Sequence, residues 1–104
     1  GCNGYFSPYC LPRLENGEEG EYLTDRLTDE AVRLIEKQGD RPFFLNMSHY
    51  AVHTPLGAKP ELERKYEALA DSSYFHNNAT YAAMIQSVDE SLNRILGLET
   101  ERSA

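Results

Sequence analysis

The run Phe43-Phe44-Leu45, opened by Pro42 and continued by Asn46-Met47-Ser48-His49-Tyr50-Ala51-Val52-His53-Thr54-Pro55-Leu56, constrains the fold of this chain more than any other feature. A short apolar run opened by proline predicts a strand covered on both faces, from Phe43 to about Ser48. The far ends of such strands are where α/β folds place chemistry, and His53 stands in the loop beyond that end, held before Pro55. A lone apolar strand also carries a demand. Its backbone donors and acceptors need partners along both edges. Three sources can supply them: a second copy of the chain, the short stretch from Tyr5 to Tyr9, or the rest of a larger sheet.

Helical periodicity surrounds this strand. Leu23, Leu27, Ala31, Leu34 and Ile35 predict one helix, with Thr24 or Thr28 capping its start, Asp29 and Glu30 in its first turns, and Gly39, Asp40 and Pro42 ending it. Pro60 suits the first turn of a second helix, which places Leu62, Tyr66 and Leu69 on one side and ends near Ala70. Asp71 to Asn78 reads as a polar linker containing Tyr74, Phe75 and His76. Asn77 or Asn78 then caps a longer helix with one apolar stripe of Tyr81, Met84, Ile85, Val88, Leu92, Ile95 and Leu96, stopped by Gly97. The organisation expected is an irregular loop over 1–22, helix-strand-helix-helix over 23–97, and a frayed tail over 98–104. The fold class is thus an α/β fragment, about three helices around one central apolar strand.

With 17 Asp plus Glu against 10 Lys plus Arg, the chain carries a net charge of -7, which argues against nucleic acid or an anionic membrane as partner. No apolar run reaches the length of a membrane-spanning helix. The two cysteines, Cys2 and Cys10, leave pairing, free thiols and outside contacts equally open. Asn46-Met47-Ser48 and Asn78-Ala79-Thr80 match the glycosylation pattern. In the first, a glycan would not fit a buried strand.

Gly4-Tyr5-Phe6-Ser7-Pro8-Tyr9, Gly20-Glu21-Tyr22-Leu23-Thr24-Asp25-Arg26-Leu27-Thr28-Asp29-Glu30-Ala31, the Pro-Phe-Phe-Leu run with its histidine loop, and Tyr81-Ala82-Ala83-Met84-Ile85-Gln86-Ser87-Val88-Asp89-Glu90-Ser91 resemble, in this order, the sulfatase family within the alkaline-phosphatase-like group. The resemblance covers nearly the whole chain and is most similar to arylsulfatases and glycan-directed sulfatases. It implies an interior segment of a larger sulfatase-type α/β sheet, because enzymes of the family are several times longer. It further implies hydrolysis of a sulfate monoester, with a formylglycine nucleophile, bound calcium or magnesium, and a periplasmic, secreted or lysosomal setting.

Composition reads His53 as a surface histidine, although its place between a strand and Pro55 suits an acid, a base or a substrate ligand. The resemblance assigns it: a histidine two residues before proline in this loop is similar to the one that contacts the sulfate ester and protonates the leaving oxygen. His49 and His53 ligate one metal only if helical, and the strand-like run and Pro55 oppose a helix. His49 is therefore expected to support the site from behind. His76 is expected to be solvated.

Cys10-Leu11-Pro12-Arg13 falls short of the pattern converted to formylglycine, since Leu14 stands where that pattern requires arginine. The Glu- and Gly-rich residues that follow also make a poor helix start for holding a sulfate. The family's metal-binding Asp-Asp and Asp-Asn patterns do not occur, and Asp89 and Glu90 read as a helix face, so no metal ligand is assigned. Lys59 reads as solvated, with an approach to an anion near His53 as its functional alternative. The segment is accordingly expected to supply His53 and scaffold, to be inactive alone, and to self-associate through its strand or long helix. The alternative function is a non-catalytic helical interaction module derived from a sulfatase.

Overall fold

The structure, a computed structural model, describes residues 4–70 and 77–103. The first predicted helix forms as α1, Leu23–Gln38, and ends at Gly39, whose φ of 61° lies in the left-handed region that favours glycine. Helix α2, Pro60–Leu69, begins at proline and has Glu61 and Glu63 in its first turn, where the helix dipole favours acidic groups. Helix α3 spans Ala79–Ser103, and Asn78 Oδ1 accepts the Tyr81 N–H at 3.0 Å as a side-chain cap. The linker residues Tyr74, Phe75 and His76 lie outside the described residues.

The central strand does not form. Among the described residues the structure contains isolated bridges and no strand, which corrects the expected arrangement of helices around a strand. What survives is the alternation of a strand: Leu45, Met47 and His49 are half-buried, while Phe44, Asn46, Ser48 and Tyr50 are exposed. Phe44 is 94% exposed, so one face of the run lies bare. The reason is a missing neighbour, because a ladder needs a second segment alongside. Tyr5 to Tyr9 turns elsewhere, with the Ser7 N–H bonded to Glu21 O at 2.8 Å, the Leu23 N–H bonded to Tyr5 O at 2.6 Å, and Phe6 bridging Tyr22.

Burial on α3 also departs from the predicted stripe. Met84 is buried with Ala83, Ser87 and Ser91, whereas Tyr81, Ile85, Leu92 and Leu96 are exposed. At ~100° per residue, the buried face is rotated by about a quarter turn from the most apolar one. The cause lies across the interface, where α1 buries Thr24, Thr28, Ala31 and Ile35. Small side chains on both helices permit a close seam, and its polar atoms pair across it: Thr28 Oγ1 donates to Thr24 O at 2.7 Å and lies 2.5 Å from Ser91 Oγ. Thr28 is thus a seam residue, Thr24 is buried beside it, and the N-cap residue of α1, Tyr22, makes no side-chain cap. Leu34, placed on the predicted stripe of α1, is exposed.

Gly97 does not stop α3, which continues to Ser103 through the expected tail, since an α-helix accepts glycine at modest cost. Helix α2 contributes no fully buried residue and leaves Leu69 exposed. It is tied to α3 by polar ends: Tyr66 and Lys65 both donate to Gln86 Oε1, at 2.7 and 2.9 Å, and Thr80 donates to Glu63 at 2.8 Å. The result is a flat body of 50 × 35 × 19 Å with a radius of gyration of 15.7 Å, against about 13 Å for a compact domain of this length.

Ser87 Oγ is buried and, among the described residues, has no hydrogen-bond partner. Replacing Ser87 by Ala removes an unsatisfied group and should leave the chain as stable or up to about 1 kcal/mol more stable. Ser91→Ala, one turn later, strands its partners and should cost about 1–3 kcal/mol. Urea unfolding midpoints of the two variants check this contrast, and equal losses would contradict it.

Candidate functional site

The buried cluster beside the histidine loop is built on tyrosines. Tyr5, Tyr9 and Tyr22 are buried with Leu23, Ala58, Ala83 and Met84, and Ala51, Val52 and Leu56 of the loop pack against them. A buried tyrosine brings apolar area and a hydroxyl that needs a partner. Each of the three donates to a backbone carbonyl: Tyr5 to His53 O at 2.8 Å, Tyr9 to Glu21 O at 2.8 Å and Tyr22 to Gly57 O at 2.6 Å. Burial raises the pKa of all three phenols above the ordinary value, so they remain donors through the neutral range.

Tyr5 does more than donate. Its oxygen also accepts the His53 N–H at 2.9 Å, so one hydroxyl satisfies both backbone groups of His53, as a neighbouring strand would. The His53 ring is exposed and lies 5.0 Å from the Tyr50 ring, which in turn lies 5.4 Å from Tyr5. His53 Nδ1 is 2.6 Å from Thr54 O, and because a carbonyl only accepts, that contact places the proton on Nδ1. Nε2 has no hydrogen-bond partner among the described residues. The Ala51–Val52 and Thr54–Pro55 peptide bonds on either side are cis.

His49 occupies a different environment. Its Nε2 is 2.9 Å from Ser91 Oγ, which continues to Thr28 Oγ1, so the histidine closes a polar chain across the α1–α3 seam. Burial lowers its pKa from the ordinary value and keeps it neutral. The two histidines are therefore not joined through a shared partner. Lys59, read from sequence as solvated, instead pairs with Asp25 at 2.7 Å and lies over the Tyr22 ring, so its charge is already engaged.

Metal and nucleophile fit poorly here. Among the described residues no group of three or more His, Cys, Asp or Glu side chains could hold a metal ion. Cys10 is disulfide-bonded, and a sulfur so occupied is not a thiol available for conversion to formylglycine. The other cysteine of the sequence, Cys2, lies outside the described residues. Asn46, expected inside a buried strand, is exposed, as is Asn78.

The sulfatase family model matches residues 2–99. The chain belongs to the sulfatase family. It is similar to a sulfatase of Formosa agariphila, 35% identical over 73% of this chain and 14% of that protein, and to the uncharacterized sulfatase YdeN of Escherichia coli K12, 32% identical over 88% of this chain and 16% of that protein. Human steryl-sulfatase is 28% identical over 93% of this chain and 16% of its own length. Among solved structures, Ps i-CgsB in complex with k-i-k-neocarrahexaose superposes with a TM-score of 0.70 at 29% identity, over 88% of this chain and 20% of that one. The chain thus spans a fifth or less of each relative. No helix among the described residues is long and apolar enough to cross a membrane.

Sequence reasoning singled out both histidines but missed the residues that hold them. Tyr5 and Tyr22 carried one available signal, the rule that a buried tyrosine hydroxyl seeks an acceptor. Nothing in the sequence named the acceptor. Thr28 was expected as a cap of the first helix, and Ser91 was hidden because a polar residue on a helix face reads as solvated.

The lowered pKa of His49 sets a sign for stability against pH. The unfolded chain binds this proton more readily than the folded one, so its contribution is full above the ordinary value near 6.5 and falls as pH drops from there through the lowered native value. His49→Gln should flatten the decline of the urea midpoint between pH 7 and 5 relative to the unaltered protein. Parallel declines would show that His49 is solvated.

Proposed function

We propose that this chain is a segment of a sulfatase that hydrolyses sulfate monoesters, aryl or glycan, and that His53 is the residue within it that contacts the ester and protonates the departing oxygen. The observation that carries this reading is the split between its two halves: the His53 backbone is bonded on both sides by Tyr5, while its ring is exposed with Nδ1 held by Thr54 O and Nε2 unpartnered. A general acid needs fixed orientation and a nitrogen open to the leaving group, and in this role His53 acts as the imidazolium, with a proton on each ring nitrogen. As the S–O bond to the leaving oxygen breaks, that oxygen takes the proton on Nε2 and leaves a neutral imidazole with Nδ1–H still on Thr54. His49 supports the loop from behind through Ser91.

The nucleophile and the calcium or magnesium that the family implies are assigned to other parts of the full-length enzyme. One similar protein is named a steryl-sulfatase and another was solved with neocarrahexaose, so the substrate class is kept at sulfate monoesters. Residues 1–104 by themselves are expected to give no turnover of a chromogenic aryl sulfate. In the full-length enzyme, His53→Ala should lower kcat by about two to four powers of ten with the urea midpoint preserved. His49→Ala should lower stability more than kcat. Equal loss from His49→Ala with none from His53→Ala would contradict the assignment.

A further inference from the structure

The assignment of His53 leaves open what aims it. Its loop lacks a sheet neighbour among the described residues, its side chain is exposed, and an exposed imidazole on an unpaired loop samples many orientations. An acid displaced by about 1 Å loses most of its effect. Two contacts oppose that freedom. The Tyr5 hydroxyl bridges the N–H and C=O of His53, and the Tyr5 ring lies against Tyr50, whose ring lies against the His53 imidazole.

We propose that Tyr5 is a positioning residue for His53, fixing its backbone by the two-way hydroxyl bond and its ring through Tyr50, so that Nε2 is presented to the leaving oxygen of the sulfate ester. This rests on the reading of His53 as the acid. Tyr5 suits the task because it cannot itself move: it is 1% exposed, its carbonyl accepts the Leu23 N–H at the start of α1, and its ring stacks with Tyr22 at 5.8 Å. The orientation of the histidine loop is thereby referred to a helix. Burial keeps the phenol protonated, so the donor to His53 O persists through the assay range. Gly57 belongs to the same arrangement, because a Cβ there would stand 3.3 Å from Tyr5 Cδ2 and press the ring aside.

The test uses the full-length sulfatase with two substrates of unequal leaving group, 4-nitrophenyl sulfate and phenyl sulfate. Protonation matters more as the leaving oxygen becomes more basic, so His53→Ala should lose more activity on phenyl sulfate than on 4-nitrophenyl sulfate. Tyr5→Phe keeps the ring and removes the bridge. It should reproduce that selectivity, with kcat on phenyl sulfate reduced roughly 10-fold or more, a several-fold smaller loss on 4-nitrophenyl sulfate, and KM unchanged. In the His53→Ala background it should have no further effect, because a residue acting through His53 is silent without it.

Gly57→Ala, which perturbs the ring and retains the hydroxyl, should give a smaller loss of the same selectivity and covers the case in which Tyr5→Phe does not fold. Equal loss on both substrates from Tyr5→Phe, or additional loss in the His53→Ala background, overturns the proposal and makes Tyr5 structural only. Leaving-group-selective loss from His53→Ala with none from Tyr5→Phe overturns the Tyr5 proposal alone. Loss from His53→Ala that ignores the leaving group overturns the acid assignment and the proposal with it.

Discussion

One hydroxyl does the work of a missing strand. The segment from Phe43 through Lys59 is neither helix nor ladder, so its backbone groups need partners from elsewhere. Tyr5 satisfies the N–H and C=O of His53 together, and Tyr22 satisfies Gly57 O four residues on. Both tyrosines sit at the entry to α1, where the Leu23 N–H bonds Tyr5 O and Phe6 bridges Tyr22. The histidine loop therefore inherits its position from α1 through side chains.

That arrangement depends on α1 being a fixed reference, and the seam with α3 makes it one. Thr24, Thr28 and Ala31 of α1 and Ala83, Ser87 and Ser91 of α3 are all buried and small, and Thr28 meets Ser91 across the seam. The Thr28–Ser91 contact extends to His49, so the same seam that fixes α1 also holds the extended run four residues before His53. Outlying ion pairs add little to this. Arg94–Asp29 joins the two helices at 2.8 Å, but both side chains are more than a third exposed, and such pairs are worth about 0–1 kcal/mol.

The parts of this architecture that a sequence can disclose are those fixed by local rules. The three helices followed from periodicity, the Gly39 stop from its left-handed backbone, and the cap at Asn78 from its side chain, because each is decided within a few residues. The strand at Phe43 failed because a strand is a relation between segments, and the apolar run that predicted cover on both faces leaves Phe44 bare. The α3 stripe failed for a similar reason: Tyr81, Ile85 and Leu92 are the more apolar choice, yet the face buried in the fold carries Ala83, Met84, Ser87 and Ser91. His53, the proposed acid, was singled out through its motif. Tyr5 was not, since its partner lies 48 residues away.

Membership of the sulfatase family agrees with this flat body, which leaves Phe44 and the outer face of α3 uncovered while spanning a fifth or less of its relatives. The tyrosine bridge is the contact on which the position of the histidine loop depends. Amide hydrogen exchange at His53 tests it most directly. A donor bonded to Tyr5 should exchange far more slowly than an open loop amide, and Tyr5→Phe should abolish that protection while the α1 amides of Ala31 and Ile35 keep theirs. A His53 amide that exchanges freely in the unaltered protein, or one equally protected in Tyr5→Phe, would show that something other than the tyrosine holds the loop.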